Sequence, residues 1–213
     1  SPVTDGETIF AYFKSGRFAA LDFDGKERWQ LNLQARFGEE KRYWDAGTSP
    51  VLTKNHVIGT IMHAGDSGIV AFDKLTGKEA WSTPRNYECY LEGDEGYTTP
   101  IVLEHEGREI ILIWGAEHLT AHDAEKGELL WSCGGFNPKG KKNWVPVASP
   151  VVVGGVAVVP YGRGAHLTGI KLGGKGDVTE THRLWTRDDL STFVPTPAAK
   201  DGKVYLLTDK GRV

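Results

Sequence analysis

The sequence predicts an all-β fold, a propeller of four-stranded antiparallel blades, and three observations carry that prediction. The first is a repeated pattern: Ala, a hydrophobic residue, Asp, two variable residues, Thr-Gly, three variable residues and Trp. It runs from Ala71 to Trp81 and returns from Ala121 to Trp131. A shortened copy spans Ala20 to Trp29, and an eroded one spans Gly169 to Trp185. The second is a Ser/Thr-Pro pair opening each unit, at Ser1-Pro2, Ser49-Pro50, Thr99-Pro100, Ser149-Pro150 and Thr196-Pro197, with prolines 48, 50, 50 and 47 residues apart. The third is the content of each unit: short β-branched runs separated by glycine turns, without helical periodicity. A period of about 50 residues built from strand-like pieces marks a propeller or another repeat array. Four antiparallel strands per period describe a propeller blade.

Taken in order, the blades are expected at about 1–48, 49–98, 99–148 and 149–195, with an incomplete fifth at 196–213. In the fourth, Pro150 to Val153 reads as a first strand, Gly154-Gly155 as a hairpin turn and Val156 to Val159 as a returning second strand. His166 to Ile170 reads as the third, and the fourth is expected to end on Trp185. The second blade follows the same plan, with Val51-Leu52, Val57 to Ile61, Gly68 to Phe72 and Lys78 to Trp81 as its strands. Between the last two lies Asp73-Lys74-Leu75-Thr76-Gly77. Here Asp and Thr side chains can accept backbone N–H bonds and Gly supplies a positive φ. Asp73, Gly77, Asp123 and Gly127 are therefore read as turn residues. Trp29, Trp81, Trp131 and Trp185 are read as seam fillers between neighbouring blades, each ring removing roughly 150–250 Å² from water. Repeats of the WD40 and kelch kinds fit poorly, since Trp44-Asp45 does not recur.

Composition narrows the function classes. The net charge is -3 and no long basic run exists, Lys139 to Lys142 being a short patch. This argues against a nucleic-acid surface. The longest apolar run, Val151 to Val159, is too short to span a bilayer as a helix. Two cysteines, Cys89 and Cys133, fall in loops between units; a disulfide between them is left open.

The Ala-hydrophobic-Asp-x-x-Thr-Gly-x-x-x-Trp unit resembles the repeat of the pyrroloquinoline-quinone-like β-propellers. That family includes the quinoprotein alcohol dehydrogenases. It also includes non-enzymatic relatives, such as the propeller lipoprotein of the outer-membrane β-barrel assembly machinery, and this chain looks similar to that branch. The resemblance covers essentially the whole chain and implies a ring of seven or eight blades. Four full blades and an open fifth then predict that the chain is a piece of a longer one. Pairing of two chains into one ring is the other expectation. The enzymes would bring a vicinal Cys-Cys pair, an acidic base and Asn/Asp/Glu calcium ligands. None can be placed here, since Cys89 and Cys133 are 44 residues apart, so no cofactor is expected. A periplasmic or extracellular location is implied by the resemblance alone.

Most of the surplus length lies between the fourth strand of one blade and the first of the next, in loops 30–48, 82–98, 132–148 and 186–195. An up-down-up-down path puts these loops on one face, where recognition usually sits on a rigid scaffold. Their aromatic and cationic residues, Arg36, Arg42, Tyr43, Trp44, Arg85, Tyr87, Tyr90, Trp144 and Phe193, form the candidate binding face. Tyr87 and Tyr90 are expected to be exposed. Trp44 and Trp144, each six residues before a proline, are expected at equivalent places. His118 and His166 match at the start of third strands and are expected to border the same mouth. The leading expectation is a non-catalytic propeller binding a protein or peptide through this face. The alternatives are part of a quinone- and calcium-dependent dehydrogenase whose site lies outside this chain, and a propeller sensing a small ligand or carbohydrate.

Overall fold

The computed structural model describes residues 1–39, 42, 44, 47–63, 65–90 and 92–212; Tyr43, one of the candidate residues, lies outside them. Strands pair in sequence order within each blade. The first blade is β1 (Val3–Thr4), β2 (Ile9–Tyr12), β3 (Arg17–Leu21) and β4 (Glu27–Asn32), followed by a single helical turn, α1 (Gln34–Phe37). The second is β5 (Val51–Leu52), β6 (His56–Ile61), β7 (Gly68–Asp73) and β8 (Glu79–Pro84). The third is β9 (Ile101–His105), β10 (Arg108–Gly115), β11 (His118–Asp123) and β12 (Leu129–Cys133). The fourth begins with β13 (Val151–Val153), β14 (Val156–Tyr161) and β15 (His166–Lys171). It continues through β16 (Gly176–Asp177) and α2 (Thr179–His182) to β17 (Arg183–Arg187). A hairpin, β18 (Ala198–Lys200) and β19 (Lys203–Tyr205), starts a fifth. The architecture is thus an all-β partial propeller. No helix among the described residues is long and apolar enough to cross a membrane.

The repeat pattern has a backbone counterpart. In every full blade the pairing of third and fourth strands slips at the pattern's opening residues: Ala20/Leu21, Ala71/Phe72, Ala121/His122 and Gly169/Ile170. A bulge of this kind bends and twists the outer strand. It also puts the tryptophan inside the fourth strand, which runs on past Trp81 to Pro84 and past Trp185 to Arg187. The turn between the strands closes as its chemistry requires. Asp73 Oδ1 accepts bonds from the Thr76 backbone N–H at 2.8 Å and the Thr76 hydroxyl at 2.7 Å, and Gly77 sits at φ +67°. The Thr76 hydroxyl and amide hold the Asp73 carboxyl below the usual carboxylate range.

The core lies in the seams. One cluster joins the first and second blades (Phe10, Phe18, Val57, Phe72), one the second and third (Ile58, Ile69, Ile111, Ile113), and one the third and fourth (Trp114, Trp131, Val159, Ile170). The repeated tryptophan and glycine meet across these seams. Trp29 lies against Gly77 of the next blade and donates its indole N–H to the Lys74 carbonyl at 2.9 Å. Trp81 lies in the same way against Gly127. Trp131 is 2% exposed within its cluster.

Trp185 is 39% exposed, where Trp131 is 2% exposed. The segment after β19 forms a turn, with Thr208 N–H bonded to the Arg212 carbonyl. No third-strand turn of the kind that seats Trp29 and Trp81 follows β19 among the described residues. The eroded repeat in the fourth blade is likewise more than a worn turn. Gly173, Gly174 and Gly176, all at positive φ, swing the chain back to the preceding blade. There β16 pairs in parallel with β12 (Trp131 with Gly176, Ser132 with Asp177) and makes the third blade five-stranded. Buried Val178 anchors this strap in the cluster around Trp131.

The Ser/Thr-Pro marker turns out to be an inter-blade belt. The amino group of Ser1 reaches the Ser49 hydroxyl (2.8 Å), Ser49 N–H the Thr99 hydroxyl (3.1 Å), Thr99 N–H the Ser149 hydroxyl (2.9 Å) and Ser149 N–H the Thr196 hydroxyl (3.1 Å). A following proline holds the preceding residue in extended conformation, which presets each Ser or Thr for this link. Ser149→Ala strands the Thr99 N–H and is expected to cost about 1 kcal/mol. Hydrogen exchange checks it: the Thr99 amide should lose protection while the Ser49 amide keeps its own. Equal protection of both would remove the belt's role.

Candidate interaction site at the loop-bearing face

The loops between blades are tied to one another above this belt. Gly96 N–H donates to the Met62 carbonyl, Tyr97 N–H to Pro146 and Ala148 N–H to Phe193. Together they frame a cleft of ≈ 660 Å³ on this face, lined by Trp44, Tyr97, Val145, Val147, Phe193 and Val194, with Glu92, Glu95 and Arg163 among the charged groups. Trp44 is 68% exposed and Val194 58%. Tyr97 is fixed from both ends: its hydroxyl donates to Glu95 (2.8 Å) and accepts the Trp44 backbone N–H (3.2 Å), and the Arg42 guanidinium lies 5.7 Å from its ring. Arg163 sits 5.0 Å over Phe193 and donates to the Asn143 carbonyl at 2.8 Å. The Phe193 and Val194 amides both donate to Asp209. The wall is therefore a set of pinned apolar and aromatic surfaces with a few charges at hand.

The candidate residues divide between this cleft and other places. Trp44 and Phe193 line it. Arg42 is buried and bonds the Gly96 carbonyl at 2.8 Å, so it braces the wall instead of presenting a free cation. Arg36 pairs with Glu79 of the next blade and lies over Phe37, away from the cleft lining. Arg85 is buried in the seam between the second and third blades. Tyr87 is half-buried, stacked on His118 at 3.9 Å, whereas Tyr90 is exposed. The His118 Nδ1–H bonds the Ala116 carbonyl at 2.7 Å, and burial pulls its pKa down. His166 is buried with Nδ1 bonded to Asp188 at 2.6 Å, and it faces the Trp144 ring.

Trp44 and Trp144 do not share an environment. Trp144 is half-buried, edge-on to Tyr161 at 5.3 Å and packed over Gly162, whose absent Cβ leaves it room. In the second blade the position matching Gly162 is Met62, whose side chain is buried in the seam with Ile58 and Ile113. The matching tryptophan, Trp44, stays out on the surface.

Neither Tyr97 nor the buried acid Glu117 stands out in the sequence. Tyr97 had one available signal, its place two residues before the Thr99-Pro100 marker. Glu117 is buried at φ +54°, accepts the Asn137 amide at 2.7 Å and contacts the Tyr161 hydroxyl at 3.1 Å. Burial pushes its carboxyl up. Cys89 and Cys133 are both free, and burial pushes the Cys89 thiol up to about 12, making it a poor nucleophile. Among the described residues no group of three or more His, Cys, Asp or Glu side chains is placed to hold a metal ion.

The family whose sequence profile is described as outer membrane protein assembly factor BamB matches residues 1–213. Solved structures share the fold at low identity. BamB from Moraxella catarrhalis is 14% identical with a TM-score of 0.63, over 99% of this chain and 54% of that one. The quinohemoprotein alcohol dehydrogenase from Comamonas testosteroni is 14% identical with a TM-score of 0.66, over 99% and 38%. A europium-containing methanol dehydrogenase is 14% identical with a TM-score of 0.59, over 89% and 41%. This chain spans about half the length of that BamB and less of the two dehydrogenases. A comparison with curated proteins found no match.

Proposed function

We propose, for a chain that belongs to the family of outer membrane protein assembly factor BamB, a non-catalytic role: binding a protein or peptide partner in the cell envelope through the loop-bearing face. The observation that carries this is the cleft, with exposed Trp44 and Val194 beside pinned Tyr97 and Phe193. Aromatic anchors held rigid by their neighbours lose little conformational freedom on binding, which is the usual make-up of an interface hot spot. By the family's name the natural candidates are proteins engaged in outer-membrane protein assembly. The periplasmic side of that membrane is the proposed location.

A dehydrogenase role finds less support. The quinone- and calcium-binding set would need clustered carboxylates and a vicinal cysteine pair. The described residues bring no such carboxylates together, and the two cysteines stand apart. The residues present do not fit the group. A small-ligand reading keeps one supporting observation, since the cleft falls within the roughly 300–1,000 Å³ typical of ligand pockets.

Site-specific photo-crosslinking separates these readings. A benzophenone side chain at Trp44 or Val194 is expected to capture a discrete envelope protein. The same probe at Leu75, exposed on the strand-turn face, is expected to capture none. Capture at Leu75 with silence at the cleft would move the binding face to the other side of the ring. Silence at every position, with a small molecule saturably quenching Trp44 fluorescence, would favour the ligand-sensing reading.

A further inference from the structure

Arg85 takes the position that Leu33 holds in the first blade. Its N–H bonds the Ser67 carbonyl just as Leu33 N–H bonds Gly16 in the first blade, and Leu33 is buried. The arginine is only 3% exposed. Its Nε donates to the Thr120 hydroxyl at 3.0 Å, and Nη2 donates to the His118 and Gly115 carbonyls at 2.8 and 3.1 Å. Among the described residues Nη1 meets only the Met62 sulfur, at 3.9 Å. Among the described residues no carboxylate comes within salt-bridge distance of it, and burial lowers its pKa only to about 10, so it stays charged at neutral pH. A buried charge without a counter-charge is costly, and carbonyl dipoles alone do not cancel it.

A small cavity of ≈ 80 Å³ opens on the loop-bearing face, with Arg85 in its lining beside His63, Ser67, Asn86, Tyr87 and Asp94. Asn86 Oδ1 accepts the Ser67 N–H at 2.8 Å, which fixes the amide and leaves its Nδ2 donors unspent among the described residues. The His63 Nε2–H bonds the Asp66 carbonyl at 3.2 Å, while its Nδ1 is buried and has no partner among the described residues. A water occupies about 30 Å³ of liquid volume, so the space has room for a halide or a small carboxylate.

We propose that this cavity is a binding site for a small monovalent anion, halide to carboxylate in size, held by the Arg85 charge and the Asn86 amide. Asp94 is the lining group of the wrong sign and sets the affinity. The site is separate from the Trp44 cleft and independent of any partner protein.

The test is thermal unfolding of the whole chain with sodium bromide or acetate replacing sodium gluconate at constant ionic strength. A ligand that binds the folded state alone raises the midpoint saturably. Wild type is expected to show such a rise with bromide or acetate. Asn86→Leu, a change at an exposed position, should fold normally by circular dichroism and lose most of the rise. Any general salt effect would persist in both proteins. Arg85→Met should abolish the response where it folds. Asp94→Asn should tighten anion binding roughly tenfold, because it removes a nearby like charge. A wild-type midpoint that tracks ionic strength alone overturns the proposal. So does an Asp94→Asn variant that loses stability without gaining anion affinity, since Asp94 would then be the water-bridged counter-charge of Arg85.

Discussion

Trp131→Ala is expected to destabilise the protein by about 3–5 kcal/mol, and Trp185→Ala by no more than about 1 kcal/mol, although the two residues hold the same position in the repeat. The difference is one of cover. Trp131 is 2% exposed, boxed in by Ala157, Leu172 and Val178 from the fourth blade, and truncating it leaves a cavity inside a rigid seam. The surroundings can relax only partly, so the lost contacts and the void both count. Trp185 is 39% exposed, and its truncation opens to solvent. Trp81→Ala belongs with the larger effect, moderated because its ring is half-buried and its indole N–H has no partner among the described residues. Urea unfolding monitored by circular dichroism gives the answer: the midpoint should fall strongly for Trp131→Ala and Trp81→Ala and slightly for Trp185→Ala, with similar slopes. Equal losses at Trp131 and Trp185 would mean that the seams do not carry the stability assigned to them.

The contrast also shows which parts of the fold were legible beforehand. Blade number, strand order and turn chemistry could be read because each is encoded within a single repeat. The Asp73–Gly77 turn closes on its own side chains, and its sequence says so. What escaped reading depends on the neighbouring blade. Arg42 and Arg85 looked like surface cations, yet both are buried and satisfied largely by backbone carbonyls beyond the next loop or seam. Comparison with Leu33 was the one internal clue that the Arg85 position points inward. The Ser/Thr-Pro pairs were visible as punctuation, but their hydroxyl belt links residues about fifty positions apart, which spacing alone does not reveal. Trp44 and Trp144 are equally spaced from their prolines and differ because Gly162 is matched by Met62.

Gly127→Ala is expected to cost about 2–5 kcal/mol, far more than Gly25→Ala, though both glycines sit in third-to-fourth strand turns at positive φ, +72° and +81°. The backbone penalty is shared: a Cβ in the left-handed region costs roughly 1–2 kcal/mol at either place. The packing penalty is not. A Cβ on Gly25 meets nothing within 4 Å, whereas on Gly127 it would lie 2.3 Å from Cε3 of Trp81. That atom belongs to a flat ring wedged in a seam, so it cannot yield as the tip of a flexible side chain would. The clash adds an overpacking cost of roughly 1–3 kcal/mol. Paired thermal denaturation of the two variants isolates the second term, because the first cancels between them. A double variant sharpens the point: in Trp81→Ala the clash is gone, so adding Gly127→Ala should cost only the shared backbone amount. Full additivity of the two substitutions would show that the glycine is required by the turn alone, and that the repeat's glycine and tryptophan are not matched across the seam.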